Sequence, residues 1–159
     1  MRKLYVVILL ILSTNLVNAQ FSKNALGLRL GAGEGFGTEI SFQHGLTDIN
    51  RLELDLGMLS GNHYNAWSVA GLYEWVWEIG DGFNWYVGAG GRIGSFNWDV
   101  NYDAPNNGGM LLAAAGTIGI EYSFPMGIQL GLDYRPELGI INHANAFGAN
   151  TAMSIRYRF

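Results

Sequence analysis

In eight segments after residue 20, apolar residues occupy every second position and polar or small residues lie between them. Residues 51–59 show it most clearly, because Leu52 and Leu54 flank Glu53, and Asp55 follows. Successive side chains of a β-strand point to opposite faces, so a period of two predicts strands. The other seven predicted strands are residues 24–33, 37–44, 66–78, 83–95, 110–122, 127–138 and 150–159. No stretch after residue 20 has a convincing helical period of about 3.6 residues, so we expect an all-β chain.

The connections between these strands alternate in length. Three are tight, namely residues 45–50, 80–82 and 124–126. The remaining four, of which three are longer and polar, are residues 33–37, 60–65, 96–109 and 140–149. Membrane β-barrels of bacteria have tilted strands of about 9–11 residues, short turns on the periplasmic side and longer loops outside. The pattern therefore predicts an eight-stranded antiparallel up-and-down transmembrane β-barrel with both chain ends in the periplasm.

The size of the apolar side chains indicates which face of the barrel points outwards. An eight-stranded barrel has an interior just wide enough to be filled by side chains. Seven large aromatic residues on the apolar face would overfill it: Trp67, Tyr73, Trp75, Trp77, Phe83, Trp85 and Tyr134. The opposite face, rich in Gly, Ala and Ser, fits a narrow lumen, so we expect the apolar face to contact lipid. An aromatic girdle is predicted at the periplasmic strand ends, formed by Trp75, Trp77, Phe83, Trp85, Tyr122, Phe124, Tyr157 and Phe159.

Charged residues occupy the face that this assignment turns inwards. The predicted lumen charge network consists of Arg29, Glu39, Glu53, Asp55, Glu74, Arg92, Glu121, Asp133, Arg135 and Arg156. The same alternation turns Arg51, Glu78 and Arg158 inwards. A buried charge is costly unless it is paired, and both signs are present on several strands. We therefore expect ion pairs that fill the lumen as a structural plug, with a narrow water or ion path as the alternative.

The last strand carries a further signal. Ile155, Tyr157 and Phe159 lie on one face, and the chain ends on an aromatic residue with another two positions before it. This arrangement resembles the C-terminal insertion signal of bacterial outer-membrane β-barrel proteins. The resemblance implies recognition by the barrel assembly machinery.

The first nineteen residues form a predicted signal peptide, which leaves residues 20–159 as a single barrel domain. Arg2 and Lys3 precede an apolar core at residues 4–12, and Ala19 offers a cleavage position. The sequence contains no cysteine, which excludes disulfides and a lipid-modified cysteine after the signal. Without the signal the formal charge falls from −4 to about −6, and only Lys23 remains among the lysines. The absence of a basic patch argues against a nucleic-acid partner.

Three short motifs resemble binding sites but lack a required residue. In the glycine-rich segments 31–37 and 88–93, the third glycine of a dinucleotide loop is replaced by Phe36 and Ile93. We interpret these glycines as backbone bends that leave room for lumen side chains. Residues 99–103 begin like a calcium loop, but a solvated polar loop is the favoured interpretation. No cofactor and no metal ion is expected.

One segment in the last external loop bears on catalysis. His143-Ala144-Asn145-Ala146 resembles the His-x-Ser-Asn pattern of lipid A deacylases, which are eight-stranded outer-membrane barrels. The nucleophile position holds Asn145, which has no hydroxyl to attack an ester. We therefore expect no catalytic residues.

Pro136 departs from the strand pattern. It donates no backbone hydrogen bond, and we expect strand pairing to loosen or bulge there.

The whole chain after Gln20 resembles the small eight-stranded outer-membrane barrels of the OmpA/OmpX type. Three segments are similar to the C-terminal part of small barrel proteins of Bacteroidota: Gly119-Ile120-Glu121-Tyr122, Leu132-Asp133-Tyr134-Arg135-Pro136-Glu137 and Ile155-Arg156-Tyr157-Arg158-Phe159. The resemblance implies a location in the cell outer membrane, with outer-membrane lipids as partners. It is consistent with a structural role or a binding or adhesion role of the external loops, whose ligand is unknown. The alternatives are a lipid A-modifying enzyme and a minor narrow pore.

Overall fold

The computed structural model describes residues 23–33, 37–61, 64–98, 108–141 and 147–159, and these form eight β-strands. The strands are β1 (Asn24–Gly33), β2 (Thr38–Gly45), β3 (Asn50–Gly61), β4 (Tyr64–Gly80), β5 (Phe83–Trp98), β6 (Gly108–Ser123), β7 (Ile128–Ile141) and β8 (Phe147–Arg158). The predicted signal peptide at residues 1–19 lies outside the described residues. No helix in the described part of the chain is long and apolar enough to cross a membrane.

The strands close into a barrel in which each strand pairs with its neighbours in sequence. All the pairs are antiparallel, and β8 returns to pair with β1. Leu28, for example, lies opposite Ile40 of β2 on one side and Ile155 of β8 on the other. The predicted eight-stranded antiparallel up-and-down barrel is confirmed.

The connections divide the barrel into two ends. The turn end contains Lys23, Phe159 and the short connections 46–49, 81–82 and 124–127. The opposite ends of the strands lie at the loop end, where Gly33 precedes β2, Gly61 precedes β4, Trp98 precedes β6 and Ile141 precedes β8. The predicted contrast in length is wrong for β3 and β4, because only two residues separate Gly61 from Tyr64, whereas nine separate Trp98 of β5 from Gly108 of β6. Hairpin hydrogen bonding extends beyond the alternating sequence, as where Gly61 lies opposite Tyr64.

The turn between β4 and β5 is set by its two central residues. Asp81 and Gly82 both have positive φ, at 50° and 85°. Two central residues with positive φ define a type I′ turn, whose twist matches that of the flanking strands and which favours Asp-Gly. The sequence Gly80-Asp81-Gly82 therefore fixes this hairpin at the turn end.

The two faces of the barrel differ as the alternation predicts. Along β8, Met153, Ile155 and Tyr157 are exposed on the outside, while Ser154 and Arg156 are buried in the lumen. Met153 is 67% exposed, and the outer face as a whole is formed by large apolar residues of this kind. Six of the seven aromatic residues expected outside are exposed: Trp67, Trp75, Trp77, Phe83, Trp85 and Tyr134. Tyr73, the seventh, is half-buried.

The β6–β7 ladder is irregular near Pro136, as expected. The pairing passes directly from Ala115 opposite Glu137 to Ile118 opposite Tyr134, and the two intervening positions of β6 have no ladder partner on β7. A register shift follows between Leu112 and Ala113. Proline lacks the N–H that a ladder bond would need, which explains the interruption.

Candidate functional site

The lumen contains all ten residues of the predicted charge network, and every one of them is buried. Arg51 and Glu137 join them, so that five arginines face seven carboxylates among the described residues. The ion pairs are Arg29–Glu39, Arg29–Asp133, Arg51–Glu74, Arg51–Glu121, Arg92–Glu39, Arg92–Glu137, Arg135–Glu39, Arg135–Glu53, Arg135–Asp55 and Arg156–Glu53. Most of these pairs join strands that are not neighbours.

Arg135 lies at the centre of the network. Its Nη2 donates to Glu53 Oε1 at 2.8 Å and to Asp55 Oδ2 at 2.6 Å. Glu53 and Asp55 are two residues apart on β3, so the strand period places both carboxylates on the lumen face. Glu53 also accepts a hydrogen bond from Arg156 Nη2 at 2.8 Å and another from Gln43 Nε2 at 2.6 Å. These contacts bridge β7, β8, β2 and β3 across the lumen.

Glu39 organises the half of the network nearer the loop end. Its carboxylate accepts from Arg29 Nη1 at 2.8 Å and from Arg92 Nη1 at 2.7 Å. Arg29 also binds Asp133, with its Nε 3.1 Å from a carboxylate oxygen, and Arg92 Nε donates to Glu137 Oε1 at 2.9 Å. One carboxylate on β2 therefore connects β1 and β5, which lie on different sides of the barrel.

Arg51 forms a separate cluster nearer the turn end. Its Nε donates to Glu74 Oε2 at 2.6 Å and its Nη1 to Glu121 Oε1 at 2.8 Å. Its guanidinium lies over the ring of Tyr86, 4.7 Å from the ring centroid, which is a cation–π geometry. Among the described residues, no ion pair connects this cluster with Arg135 or Glu39. One arginine here faces two carboxylates.

Small residues make room for the large charged ones. A Cβ added to Gly88 would lie 2.8 Å from Glu74 Cγ, and one added to Gly119 would lie 2.5 Å from the Tyr86 hydroxyl. The glycines of the 88–93 segment thus include one that leaves space for a lumen side chain. Ser68 and Ser154 accept hydrogen bonds from Arg92 and Arg156 at 2.8 Å and 2.7 Å.

The structure also departs from the predicted lumen in several places. Glu78, expected to point inwards, does line the open turn end of the lumen, but it is exposed there and not part of the buried charge network. Arg158 is half-buried and donates to the carbonyl of Phe124 at 3.3 Å, with no ion pair in the described chain. Glu137 and Tyr86 were not predicted as lumen residues. The alternation would have placed both in the lumen, since Glu137 lies two residues from Arg135 and Tyr86 lies two residues from Gly88.

A cavity of about 780 Å³, the turn-end cavity, opens below Arg51. Its wall includes the turn 46–49 and side chains from several strands, among them Asn50, Arg51, Glu121, Gln129 and Arg158. This cavity could not be predicted from the sequence, because its walls come from both ends of the chain and from strands far apart in sequence.

The aromatic residues of the predicted girdle lie at the turn end. Three pairs of rings have centroids 4.6 Å apart: Trp77–Trp85, Phe83–Tyr122 and Tyr122–Phe124. The Trp77 and Trp85 rings are stacked, with an interplanar angle of 22°. Ile155, Tyr157 and Phe159, the predicted insertion signal, are all exposed on the outer face.

Two of the weaker motifs lie outside the described residues. These are the calcium-like segment 99–103 and the segment 143–146 with His143 and Asn145. Phe36 of the first glycine-rich segment also lies outside. Within the described ranges, no group of three or more His, Asp or Glu side chains has the geometry to hold a metal ion.

Three solved structures with the same fold are small outer-membrane barrels. The N-terminal β-barrel domain of OprF from Pseudomonas aeruginosa matches with a TM-score of 0.70 and 15% identity, over 88% of this chain and 100% of that one. Neisserial surface protein A matches with a TM-score of 0.58 and 12% identity, over 86% and 94% of the two chains. The attachment invasion locus protein Ail of Yersinia pestis gives a TM-score of 0.54 and 10% identity, over 86% and 96%.

No protein-family model matches the sequence, and no curated protein matches it. At these identities the likeness to solved structures shows the fold alone. The chain has the fold of the small eight-stranded outer-membrane barrels, as its resemblance to the OmpA/OmpX type implied.

Proposed function

We propose that this chain is an integral protein of the bacterial outer membrane with a non-conducting barrel. Its role is structural or is exerted through binding or adhesion at the loop end, and it carries out no catalysis. The single observation that carries this proposal is the ion-pair network that spans the lumen from wall to wall.

The network supports a plug because its pairs cross the barrel. Arg29 of β1 binds Asp133 of β7, Arg135 of β7 binds Glu53 of β3, and Arg51 of β3 binds Glu121 of β6. An eight-stranded barrel has little interior space beyond its side chains. An ion passing through would have to displace buried pairs, at a cost of several kcal/mol for each charge left unpaired. A filled lumen is therefore favoured over the narrow pore.

The outer surface supports the location in the outer membrane. Its exposed apolar residues form a band around the closed barrel, and the turn end bears the aromatic girdle. Aromatic residues of this kind lie at the membrane–water interface in outer-membrane barrels. We assign the turn end to the periplasm and the apolar band to contact with outer-membrane lipids. Export by the predicted signal peptide 1–19 and insertion by the barrel assembly machinery belong to the same proposal.

The loop end is the proposed binding surface. Residues 58–61 of β3 pair with β4 but have no partner on β2, so the β3–β4 hairpin extends past the end of β2. The hairpin is held near its tip by Ser60 Oγ, which donates to Asn65 Oδ1 at 2.7 Å. The structurally similar Ail is named for attachment and invasion, so the fold accommodates a role of this kind in another protein.

Conductance across planar lipid bilayers tests the plug. The purified full-length protein should give no channel events, whereas the double variant Arg135→Ala, Glu53→Ala should conduct, because it removes the centre of the network. Conductance of the variant would also show that the purified protein inserts into the bilayer. Regular conductance steps from the unmodified protein would overturn the plug and favour the pore.

Two further measurements test location and the absence of catalysis. The protein should fractionate with outer membranes and should migrate differently on a gel when unheated, as closed barrels do. Deletion of the gene should leave the acyl chains of lipid A unchanged. A soluble protein would contradict the location, and an altered acyl pattern would favour the lipid A-modifying enzyme. Pull-down from detergent-solubilised outer membranes would identify the partner of the loop end.

A further inference from the structure

The lumen network contains seven buried carboxylates and five buried arginines. Its ion pairs form two groups, and no ion pair joins the two groups within the described ranges. In the Arg51 cluster, one arginine faces Glu74 and Glu121. The central group consists of four arginines and five carboxylates: Arg29, Arg92, Arg135 and Arg156 with Glu39, Glu53, Asp55, Asp133 and Glu137. Each group therefore has one excess carboxylate, and a buried charge without a counter-charge is costly.

Glu74 is the excess carboxylate of the Arg51 cluster. Its Oε2 accepts a hydrogen bond from Arg51 Nε at 2.6 Å, but its Oε1 has no partner among the described residues. The side chain is completely buried and takes no part in the lining of the turn-end cavity. Glu121 does line that cavity, and the charged residues of the lining balance each other: Lys23, Arg51 and Arg158 with Asp48, Glu78 and Glu121. No positive charge of this lining therefore remains for Glu74.

The strands that pack against Glu74 do not supply an unpaired cation within the described chain. Gly88 of β5 lies opposite Glu74, and a Cβ added there would lie 2.8 Å from Glu74 Cγ. Tyr86, whose ring lies under the Arg51 guanidinium, is a phenol and adds no positive charge. The charged groups that act most strongly on Glu74, apart from Arg51, are Glu53 and Arg156, which bind each other.

Asp55 is the excess carboxylate of the central group. It binds Arg135 Nη2 at 2.6 Å, and the same nitrogen atom binds Glu53 at 2.8 Å. Glu53 has a second cation in Arg156, whereas Asp55 Oδ1 has no hydrogen-bond partner among the described residues. The charged groups that act most strongly on Asp55 are Glu53, Arg135 and Glu39, of which two are negative. Two carboxylates held by one nitrogen atom repel each other when both are ionised, which favours neutralisation of the one with fewer donors.

The other carboxylates of the central group have better compensation. Glu39 lies within ion-pair distance of three arginines. Asp133 accepts hydrogen bonds from two nitrogen atoms of Arg29. Glu137 binds Arg92, and its side chain is 9% exposed, whereas that of Asp55 is 0% exposed. None of these three is therefore as poorly compensated as Asp55.

We propose that Asp55 and Glu74 each hold a proton at neutral pH, so that the charges of the lumen network are balanced by two protons. The remaining five carboxylates then equal the arginines in number. On unfolding, both side chains return to water, where carboxyl groups ionise at about pH 4. The folded barrel therefore binds two more protons than the unfolded chain and loses stability as the pH rises. This inference goes beyond the proposed function and does not depend on whether the lumen conducts.

Urea titrations of the full-length protein in detergent micelles test the proposal between about pH 5.5 and 6.5. At a fixed urea concentration the unfolding equilibrium constant should rise about 100-fold per pH unit, because unfolding releases two protons. An unfolding constant that does not rise with pH would overturn the proposal.

Amide variants locate the two protons. Asp55→Asn and Glu74→Gln replace a neutral carboxyl by a neutral amide of the same shape, so both should fold. Each should reduce the rise to about tenfold per pH unit, and the double variant should abolish it. Asp81→Asn alters an exposed carboxyl in the turn after β4 and should keep the full rise. A full rise in either lumen variant, or a reduced rise in Asp81→Asn, would overturn the assignment.

Infrared spectroscopy observes the protons directly, because the C=O stretch of a protonated carboxyl is separate from the bands of carboxylates. The unmodified protein should show this band at neutral pH and lose it at alkaline pH. Asp55→Asn and Glu74→Gln should each remove one component. Sodium ions in place of the protons would give no such band and a stability that increases with sodium concentration, which would overturn the proposal. The spectrum of the unmodified protein decides the question even if neither lumen variant folds.

Discussion

Asn24 and Phe159 exchange two backbone hydrogen bonds that complete the closure of the barrel. The Asn24 N–H donates to the Phe159 carbonyl at 3.2 Å, and the Phe159 N–H donates to the Asn24 carbonyl at 2.9 Å. The Phe159 side chain does not take part and remains 42% exposed on the outer face. The backbone of Phe159 therefore closes the barrel, whereas its aromatic side chain is exposed on the outer face and contributes separately.

Phe159→Ala should reduce assembly into the outer membrane more than it reduces the stability of assembled barrels. The substitution keeps both backbone bonds with Asn24 and removes only an exposed ring. Assembly is measured as the fraction of heat-modifiable protein in outer membranes, and stability as the thermal midpoint of purified barrels in detergent.

Phe147→Ala is the matched control for this prediction. Phe147 begins the same strand and is also exposed, but it lies at the loop end. Its removal should leave assembly near the level of the unmodified protein. Equal losses in the two variants, or a parallel loss of assembly and thermal midpoint in Phe159→Ala, would contradict a special role of the terminal ring.

The alternation of residues was sufficient to predict the fold and the direction of most side chains. A strand has only two faces, so one decision about which face contacts lipid assigns Glu53 and Asp55 inwards together with every residue in phase. The ends of the strands were less predictable. Hairpin hydrogen bonds do not require alternating side chains, so the strands near Gly61 and Tyr64 run further than the pattern does.

The contacts within the lumen could not be predicted from the sequence. Arg29 and Asp133 are 104 residues apart, and their meeting depends on how the strands are staggered around the closed barrel. Alternation gives the face of a residue but not its height above a residue on the opposite wall. For the same reason the turn-end cavity, with Asn50 and Gln129 in one wall, had no signature in the sequence.

Arg135→Met should destabilise the barrel by about 3–5 kcal/mol. The substitution leaves Glu53 and Asp55 buried at the centre of the lumen without their shared cation. Removing one partner of a buried ion pair is costly because the remaining charge has lost its solvent and its counter-charge. The free energy of unfolding by guanidinium in detergent micelles measures the effect.

Arg158→Met provides the comparison for the same residue change. Arg158 is half-buried and its side chain donates one hydrogen bond to the carbonyl of Phe124, so its loss should cost no more than about 1 kcal/mol. Similar costs for the two variants would show that the contacts of Arg135 contribute no more to stability than the hydrogen bond between Arg158 and Phe124 at the turn end.

Ile118→Arg tests whether the outer face contacts lipid. Ile118 is 50% exposed in the middle part of β6 and lies opposite Val87 and Tyr134. An arginine near the centre of a bilayer should destabilise the inserted barrel by about 2–4 kcal/mol. Unfolding titrations in phospholipid bilayers measure this cost.

Ile49→Arg is the control for depth. Ile49 is also exposed but belongs to the turn 46–49, where an arginine should cost about 0–1 kcal/mol. If Ile118→Arg is tolerated as well as Ile49→Arg, the outer surface is not in contact with hydrocarbon.

The stacked rings of Trp77 and Trp85 should stabilise the barrel as a pair. Their centroids are 4.6 Å apart on adjacent strands, and such pairs contribute about 0.5–1.5 kcal/mol beyond the area that they bury. A double-mutant cycle with Trp77→Ala and Trp85→Ala, measured as the free energy of unfolding in bilayers, should give a coupling in that range.

Trp67 provides the control. It lies opposite Ser95 at the other end of the same strand pair, so the effects of Trp67→Ala and Trp85→Ala on the free energy of unfolding should add within about 0.5 kcal/mol. Additivity in both cycles would mean that the girdle acts only through separate contacts of each ring with the interface.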